Sequence, residues 1–189
     1  MTDAGAPLYR RVLGERYDAL PAPLRAMHDV RGTTVATGVC DIDRGANPLA
    51  RLIGRVFGMP PAGTAVPVTV RFVPRAGVEI WQRDFDGARF RTVQEAADVT
   101  GRLIERIGPL AFLLDVPADR HGLRLVLRRV TLFGVPLPRA LRPRIDAEER
   151  VDEGLFAFNV AIALPLVGPI VHYRGRLRTP AGPGPPAPS

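Results

Sequence analysis

The chain predicts a β-dominated α+β fold, in which an antiparallel, up-and-down, barrel-like sheet of about nine to ten strands follows two N-terminal helices. Three observations carry that expectation. The apolar period changes from helical to two after Pro60-Pro61 and stays at two from Val66 to Leu177. Asp86-Gly87 stands between two alternating segments, a strong short-range hairpin signal. No strand–helix alternation follows, which excludes a doubly wound sheet and leaves antiparallel pairing. So many consecutive strands are expected to curl or close, because exposed sheet edges are liabilities.

Taken in order, Pro7 to Tyr17 has helical spacing, with Leu8, Val12, Leu13 and Tyr17 on one side and arginines opposite. Leu20-Pro21-Ala22-Pro23 ends it, since proline cannot donate into a helix and restricts its predecessor. Leu24 to Val30 adds a short turn carrying His28, placed to cover one end of a barrel. Thr33 to Ile42 is rich in β-branched residues and predicts a first strand. Asn47 then caps a second helix with Pro48 at its first position, and Leu49, Leu52, Ile53, Val56 and Phe57 form its apolar stripe. Strands follow at Val66–Phe72, Glu79–Phe85 and Arg89–Val93. The segment Glu95 to Arg106 fits either a strand or a short helix. Leu110–Val116 and Leu123–Phe133 are strands joined through Asp119 to Gly122. A proline-stiffened connection, Gly134 to Pro138, leads to strands at 144–151, 155–164 and 169–178. Residues 7–178 are expected to form a single domain, with disordered tails at 1–6 and 179–189. The architecture expected is a barrel of the lipocalin-like (calycin) or helix-grip-like kind, whose interior suits one small ligand or is filled by side chains.

Composition narrows the function. At 189 residues, 46% hydrophobic and 24% charged, the chain can build an ordinary core. Its longest apolar stretch in the C-terminal half, Phe156 to Val171, is broken by Asn159, Pro165 and Pro169, too short for a membrane span of ~20 residues. The N-terminus shows no secretory signal, and a cytoplasmic protein is expected. Cys40 is the only cysteine, which excludes an intramolecular disulfide and a cysteine metal cluster. The net charge of +7 comes from arginine alone, with no lysine, and the arginines are scattered. Nucleic-acid binding is not expected, because it needs clustered positive charge. No phosphate-cradling loop, nucleophile elbow or paired metal-ligand spacing is present, so no cofactor and no metal are expected.

Four places can carry chemistry. Trp81, Arg83 and Phe85 share one strand face with Glu79, an aromatic wall with a guanidinium for an anionic head group if it faces inward. Arg129 interrupts the apolar face Leu125, Leu127 and Phe133, so it needs a partner, with Glu148 and Glu105 as candidates, or a place at the edge. His172 shares a face with Arg174 and Arg176, whereas Tyr173 shares the other with Val171 and Leu177. His172 or Glu105 could serve as acid or base in an interior cavity. The candidate ligand-binding set is therefore Trp81, Arg83, Phe85, Arg129, His172 and Tyr173, and no catalytic set is defined.

Several short motifs in order, Leu8 to Gly14, Leu20-Pro21 to His28, Trp81-Gln-Arg-Asp-Phe85, Phe133-Gly-Val-Pro-Leu-Pro138 and Pro165-Leu-Val-Gly168 to Tyr173-Arg-Gly175, make residues 8–178 resemble the bacterial family known as domain of unknown function 4166 (DUF4166). The resemblance implies a module that stands alone or accompanies NAD(P)-binding oxidoreductase-like domains, so an oxidoreductase is a candidate partner. It carries over no catalytic residues, and residues 8–178 are not expected to bind NAD(P) themselves. The function expected first is a non-enzymatic binding module for a small apolar or amphipathic ligand. The alternatives are a cyclase- or isomerase-like enzyme using His172 or Glu105, or an interaction domain accompanying an oxidoreductase.

Overall fold

A computed structural model describes residues 5–178. The expected tails at 1–6 and 179–189 therefore lie, Gly5 and Ala6 excepted, outside the described residues. Three short helices open the chain, α1 (Leu8–Leu13), α2 (Arg16–Ala19) and α3 (Ala22–His28). The sequence predicts one helix over 7–17, but Gly14 interrupts it at φ +58°, a left-handed conformation that ends a helix and that glycine adopts without steric cost.

After β1 (Thr34–Arg44) comes α4 (Pro48–Val56), capped as its sequence predicts: the Asn47 side chain accepts from the Leu49 amide at 2.9 Å. The strands β2 (Gly63–Arg75), β3 (Val78–Phe85), β4 (Ala88–Ala96), β5 (Arg102–Ile107) and β6 (Leu110–Asp115) then form a meander. The undecided stretch 95–106 thus extends one strand and begins the next. Next come β7 (Ala118–Asp119), β8 (Gly122–Leu132), β9 (Val135–Pro136), a 3₁₀ turn at Arg139–Leu141, β10 (Arg144–Asp152), β11 (Leu155–Leu164) and β12 (Gly168–Arg178).

Ten of these strands close into an antiparallel barrel in the order β10-β11-β12-β1-β2-β3-β4-β5-β6-β8, with β8 pairing back onto β10. Two-residue β7 and β9 only extend β8. Closure removes the edges that so long a meander would expose.

The helices α1–α3 plug one end. Their Tyr9, Val12, Leu13, Leu24 and Met27 are buried with Phe72, Trp81, Leu103, Leu114, Leu123 and Phe156 from the ends of six different strands. The chain is pinned there by the Gly101 amide donating to the Val12 carbonyl at 2.6 Å and by Arg11 donating to the Gly77 carbonyl at 3.1 Å. Toward the opposite end the inner wall is less completely covered: Phe90, Leu125, Ile145, Phe158, Val160 and Ile162 are only half-buried.

Two expectations change. The pairing of β6 with β8 slips between Leu113 and Leu114, which face Arg129 and Leu127, leaving Arg128 unpaired in a bulge. One extra residue reverses the alternation, so Leu125 and Leu127 are half-buried and Val130 is buried, while Arg129 is exposed. The apolar stripe of α4 is the second change. The helix turns Ala50 and Gly54 toward the barrel, with Gly54 packed under the Arg44 guanidinium, and leaves Leu49, Leu52 and Val56 exposed.

Candidate functional site

The register of β3, β4, β5 and β6 places a row of polar side chains on the inner wall. Glu79 faces Gln94, Gln94 faces Glu105, and Glu105 faces Phe112. One step along, Trp81 faces Thr92, and beyond it Arg83 faces Phe90. Because side chains alternate along a strand, Glu79, Trp81, Arg83 and Phe85 all turn inward together, as their burial shows.

Arg83 is held on three sides. Its guanidinium stacks 4.8 Å from the Trp81 ring centroid and 5.4 Å from that of Phe90. One Nη donates to Thr92 Oγ1 at 3.0 Å, and the other lies 3.8 Å from Glu105 Oε1. Glu105 also accepts from Gln94 Nε2 at 3.2 Å, whereas the buried Gln94 Oε1 has no hydrogen-bond partner among the described residues. These side chains, with Phe112, Leu125, Ile145, Val160, Ile162 and Tyr173, line a cavity of about 80 Å³. A second space of about 50 Å³ shares Trp81, Arg83, Glu149, Val160 and Tyr173 with it. Tyr173 is buried, and burial pushes its hydroxyl up to about 12, so it remains a proton donor at neutral pH.

Between this cavity and the helical plug lies a second polar layer. His28 is fully buried, stacked 3.7 Å from Tyr9 and 5.9 Å from Trp81, with Phe156 edge-on at 6.0 Å. Its Nε2 lies 2.6 Å from Glu149 Oε2. The Trp81 indole N–H donates to Glu79 Oε1 at 2.6 Å.

Burial raises the Glu79 carboxyl above its ordinary value of 4.5; the Trp81 hydrogen bond, His28 and Arg11 oppose the rise, and Glu149 adds to it. A carboxyl that binds its proton more tightly in the folded state stabilises the fold below its unfolded value. It loses that contribution as pH climbs through the folded value. Glu79→Gln keeps an oxygen for the indole and has no proton to lose. Its stability relative to the parent is therefore expected to improve as pH rises above the ordinary carboxyl value of 4.5, as read from paired thermal melts. A difference that is flat or shrinks over that range contradicts the assignment.

Of the residues singled out in the sequence, Trp81, Arg83, Phe85 and Tyr173 come together on the inner wall. Phe85 stacks on Phe90 at 5.8 Å and meets Tyr173 edge-on at 5.6 Å. Arg129 does not join them, for the bulge turns it outside, and Glu105 pairs with Arg83 instead. His172 lies on the outer wall, with Nε2 2.7 Å from Asn159 Oδ1 and Nδ1 3.9 Å from Asp43. The alternation that puts Tyr173 inside puts its neighbour outside, so the two cannot share one cavity. His28, Glu149, Gln94 and Tyr9 were not among the sequence candidates. His28 and Glu149 are 121 residues apart, and no spacing signals such a pair. Glu79 and Gln94 had a usable signal, since each stands on an alternating face with large aromatics, Trp81 and Phe85 for Glu79 and Phe90 for Gln94.

Fold and cavity together define a closed antiparallel barrel with a partly polar interior. The chain belongs to the family described as Domain of unknown function (DUF4166), whose sequence model matches residues 20–177. The match begins after α2, so the Leu8–Gly14 motif lies outside it. Comparison with curated proteins and with solved structures yields no match. No helix among the described residues is long and apolar enough to cross a membrane, and no group of three or more metal-ligating side chains occurs among them.

Proposed function

We propose that the barrel is a binding module for a small amphipathic molecule whose polar head meets Arg83, Glu105 and Gln94 and whose apolar part lies along Phe112, Val160 and Ile162. The observation that carries this reading is a guanidinium and a carboxylate 3.8 Å apart inside the barrel, at the edge of a cavity lined further on by apolar Phe112, Leu125, Ile145, Val160 and Ile162 together with Glu148, Glu149 and Tyr173. Interior ion pairs are costly to desolvate, so a pair beside unfilled space is better explained by recognition than by stability. Arg83 and Glu105 balance each other's charge, which favours a head group that both donates and accepts hydrogen bonds, such as a hydroxyl or a primary amide, over a bare anion. Gln94 Oε1 offers a further acceptor. A single water occupies ~10–15 Å³ by this measure, so the cavity suits a small ligand, or one whose chain continues toward the less covered end. A cytoplasmic module beside an oxidoreductase that makes or consumes such a molecule is consistent with this role.

Native mass spectrometry of protein purified from its own host is expected to show a small-molecule adduct that disappears on denaturation. Arg83→Ala, folded by circular dichroism, is expected to lose the adduct. An adduct retained in full by that variant counts against the head-group role of Arg83. An acid–base enzyme remains a second reading on one observation, that Glu105 lines the cavity. It would show as conversion of the bound ligand into an isomer, resolved by chromatography, that Glu105→Gln abolishes.

A further inference from the structure

Strand direction alternates around the barrel, so α4, the β3–β4, β5–β6 and β11–β12 turns and the β8–β9 hairpin all gather at the end opposite the helical plug. The four most exposed large apolar side chains among the described residues are all at this end: Leu166 at 97%, Phe133 at 81%, Val56 at 73% and Val135 at 67%. They do not stand singly. Val56 shares the outer face of α4 with exposed Leu49 and Leu52, and the Asn47 side chain donates to the Val167 carbonyl at 3.0 Å, which ties α4 to the turn carrying Leu166. On another sector, Phe133 and Val135 form the tip of the β8–β9 hairpin, which rests on the β5–β6 turn through the Phe133 amide and the Pro109 carbonyl at 2.9 Å.

The charge at this end has one dominant sign. Residues 44–78, 129–145 and 154–178 contain no aspartate or glutamate. Arg51 and Arg55 on α4, and Arg139 and Arg144 after the hairpin, are exposed. The acids nearby are Asp41, which accepts from the Ala65 amide; Asp43, paired with Arg174; Asp84, paired with Arg89; Asp146, paired with Arg124; and exposed Asp86.

We propose that this end docks on an anionic lipid bilayer, with the apolar side chains of α4 and the two protruding turns entering the headgroup region and the arginines meeting lipid phosphates. Apolar side chains on separate protrusions, each fringed by arginine, fit a deformable anionic surface better than they fit a partner protein, which needs a contiguous complementary face. Arginine suits the role because its fork binds phosphate and never loses its charge. The proposal stands on this rim alone, and its failure leaves the cavity reading untouched. It adds that the less covered end of the barrel would face the bilayer.

Co-sedimentation of the purified chain with phosphatidylcholine vesicles, with and without roughly 30 mol% phosphatidylglycerol, tests it. Binding is expected only to the anionic vesicles. Leu52→Asp combined with Phe133→Asp is expected to weaken it by roughly tenfold or more, and Arg51→Glu with Arg55→Glu to weaken it similarly. Val99→Asp, at the plugged end, should bind like the parent. A chain that stays in the supernatant with anionic vesicles overturns the proposal, as does full binding by the Leu52→Asp/Phe133→Asp variant. Light scattering that shows a dimer dissociated by those same substitutions also overturns it, in favour of a second copy as the occupant.

Discussion

His28→Ala is expected to destabilise the fold by about 3–5 kcal/mol, measured by urea denaturation. His28 is fully buried, and its ring fills the layer between Tyr9 and Trp81. Truncation to alanine removes three ring contacts, with Tyr9, Trp81 and Phe156, and opens a cavity where the plug meets the wall. It also strips the buried Glu149 carboxylate of the partner that lies 2.6 Å away, and an orphaned interior carboxylate costs more than the hydrogen bond itself contributed. Glu149→Gln separates these effects, because its amide oxygen still offers an acceptor and the ring stack survives; a loss of about 1 kcal/mol is expected. If His28→Ala costs under about 1 kcal/mol, the plug is not anchored through this pair. Trp81 is the only tryptophan in the chain, so its emission should follow the transition, and His28→Ala should shift that emission even before unfolding.

The second large effect is expected at the seam where the first strand meets the last. Gly38 on β1 faces Leu177 on β12, and a Cβ added at Gly38 would overlap the Arg176 carbonyl oxygen. Gly175 mirrors it, since a Cβ there would overlap the Val39 carbonyl oxygen and the Cys40 side chain. The two carbonyls are backbone obstacles that cannot rotate away. Gly38→Val is therefore expected to cost more than about 4 kcal/mol, or to prevent accumulation of folded protein. Hydrogen exchange should localise the damage to β1 and β12. Gly32→Ala is the matched control, with nothing within 4 Å of its added Cβ; it should be near neutral. A Gly38→Val protein as stable as the parent would mean that β1 and β12 do not close the barrel as described.

Much of this architecture can be read in the sequence because alternation is a local property. Val68, Val70 and Phe72 follow the period of two and are the buried positions of β2; Trp81 and Phe85 keep that period in β3, where Glu79 is buried with them. The Asp86-Gly87 turn is legible for a similar reason: φ of +49° and +93° at these two residues is the geometry that such a pair favours in a tight hairpin. Arg129 shows the limit. A one-residue bulge at Arg128 has no composition of its own, yet it turns every later side chain of β8 to the other wall. For α4 the apolar stripe was legible but its direction was not, because burial of Ala50 and Gly54 depends on the approach of Arg44 from β1. The His28–Glu149 pair depends on where the plug docks, a contact between distant parts of the chain.

The central claim is that Arg83 and Glu105 receive a ligand inside the barrel, and the emission of Trp81 tests it most directly. The indole lies 4.8 Å from the Arg83 guanidinium and lines the same cavity. Protein refolded from denaturant to strip bound molecules is titrated with hexanamide and with hexan-1-ol, probes that carry an uncharged polar head on a short apolar chain. A saturable change in emission is predicted for the parent, with a shift to at least roughly tenfold higher concentration in Arg83→Ala. No saturable change with either probe, or identical curves for the parent and Arg83→Ala, would contradict the account.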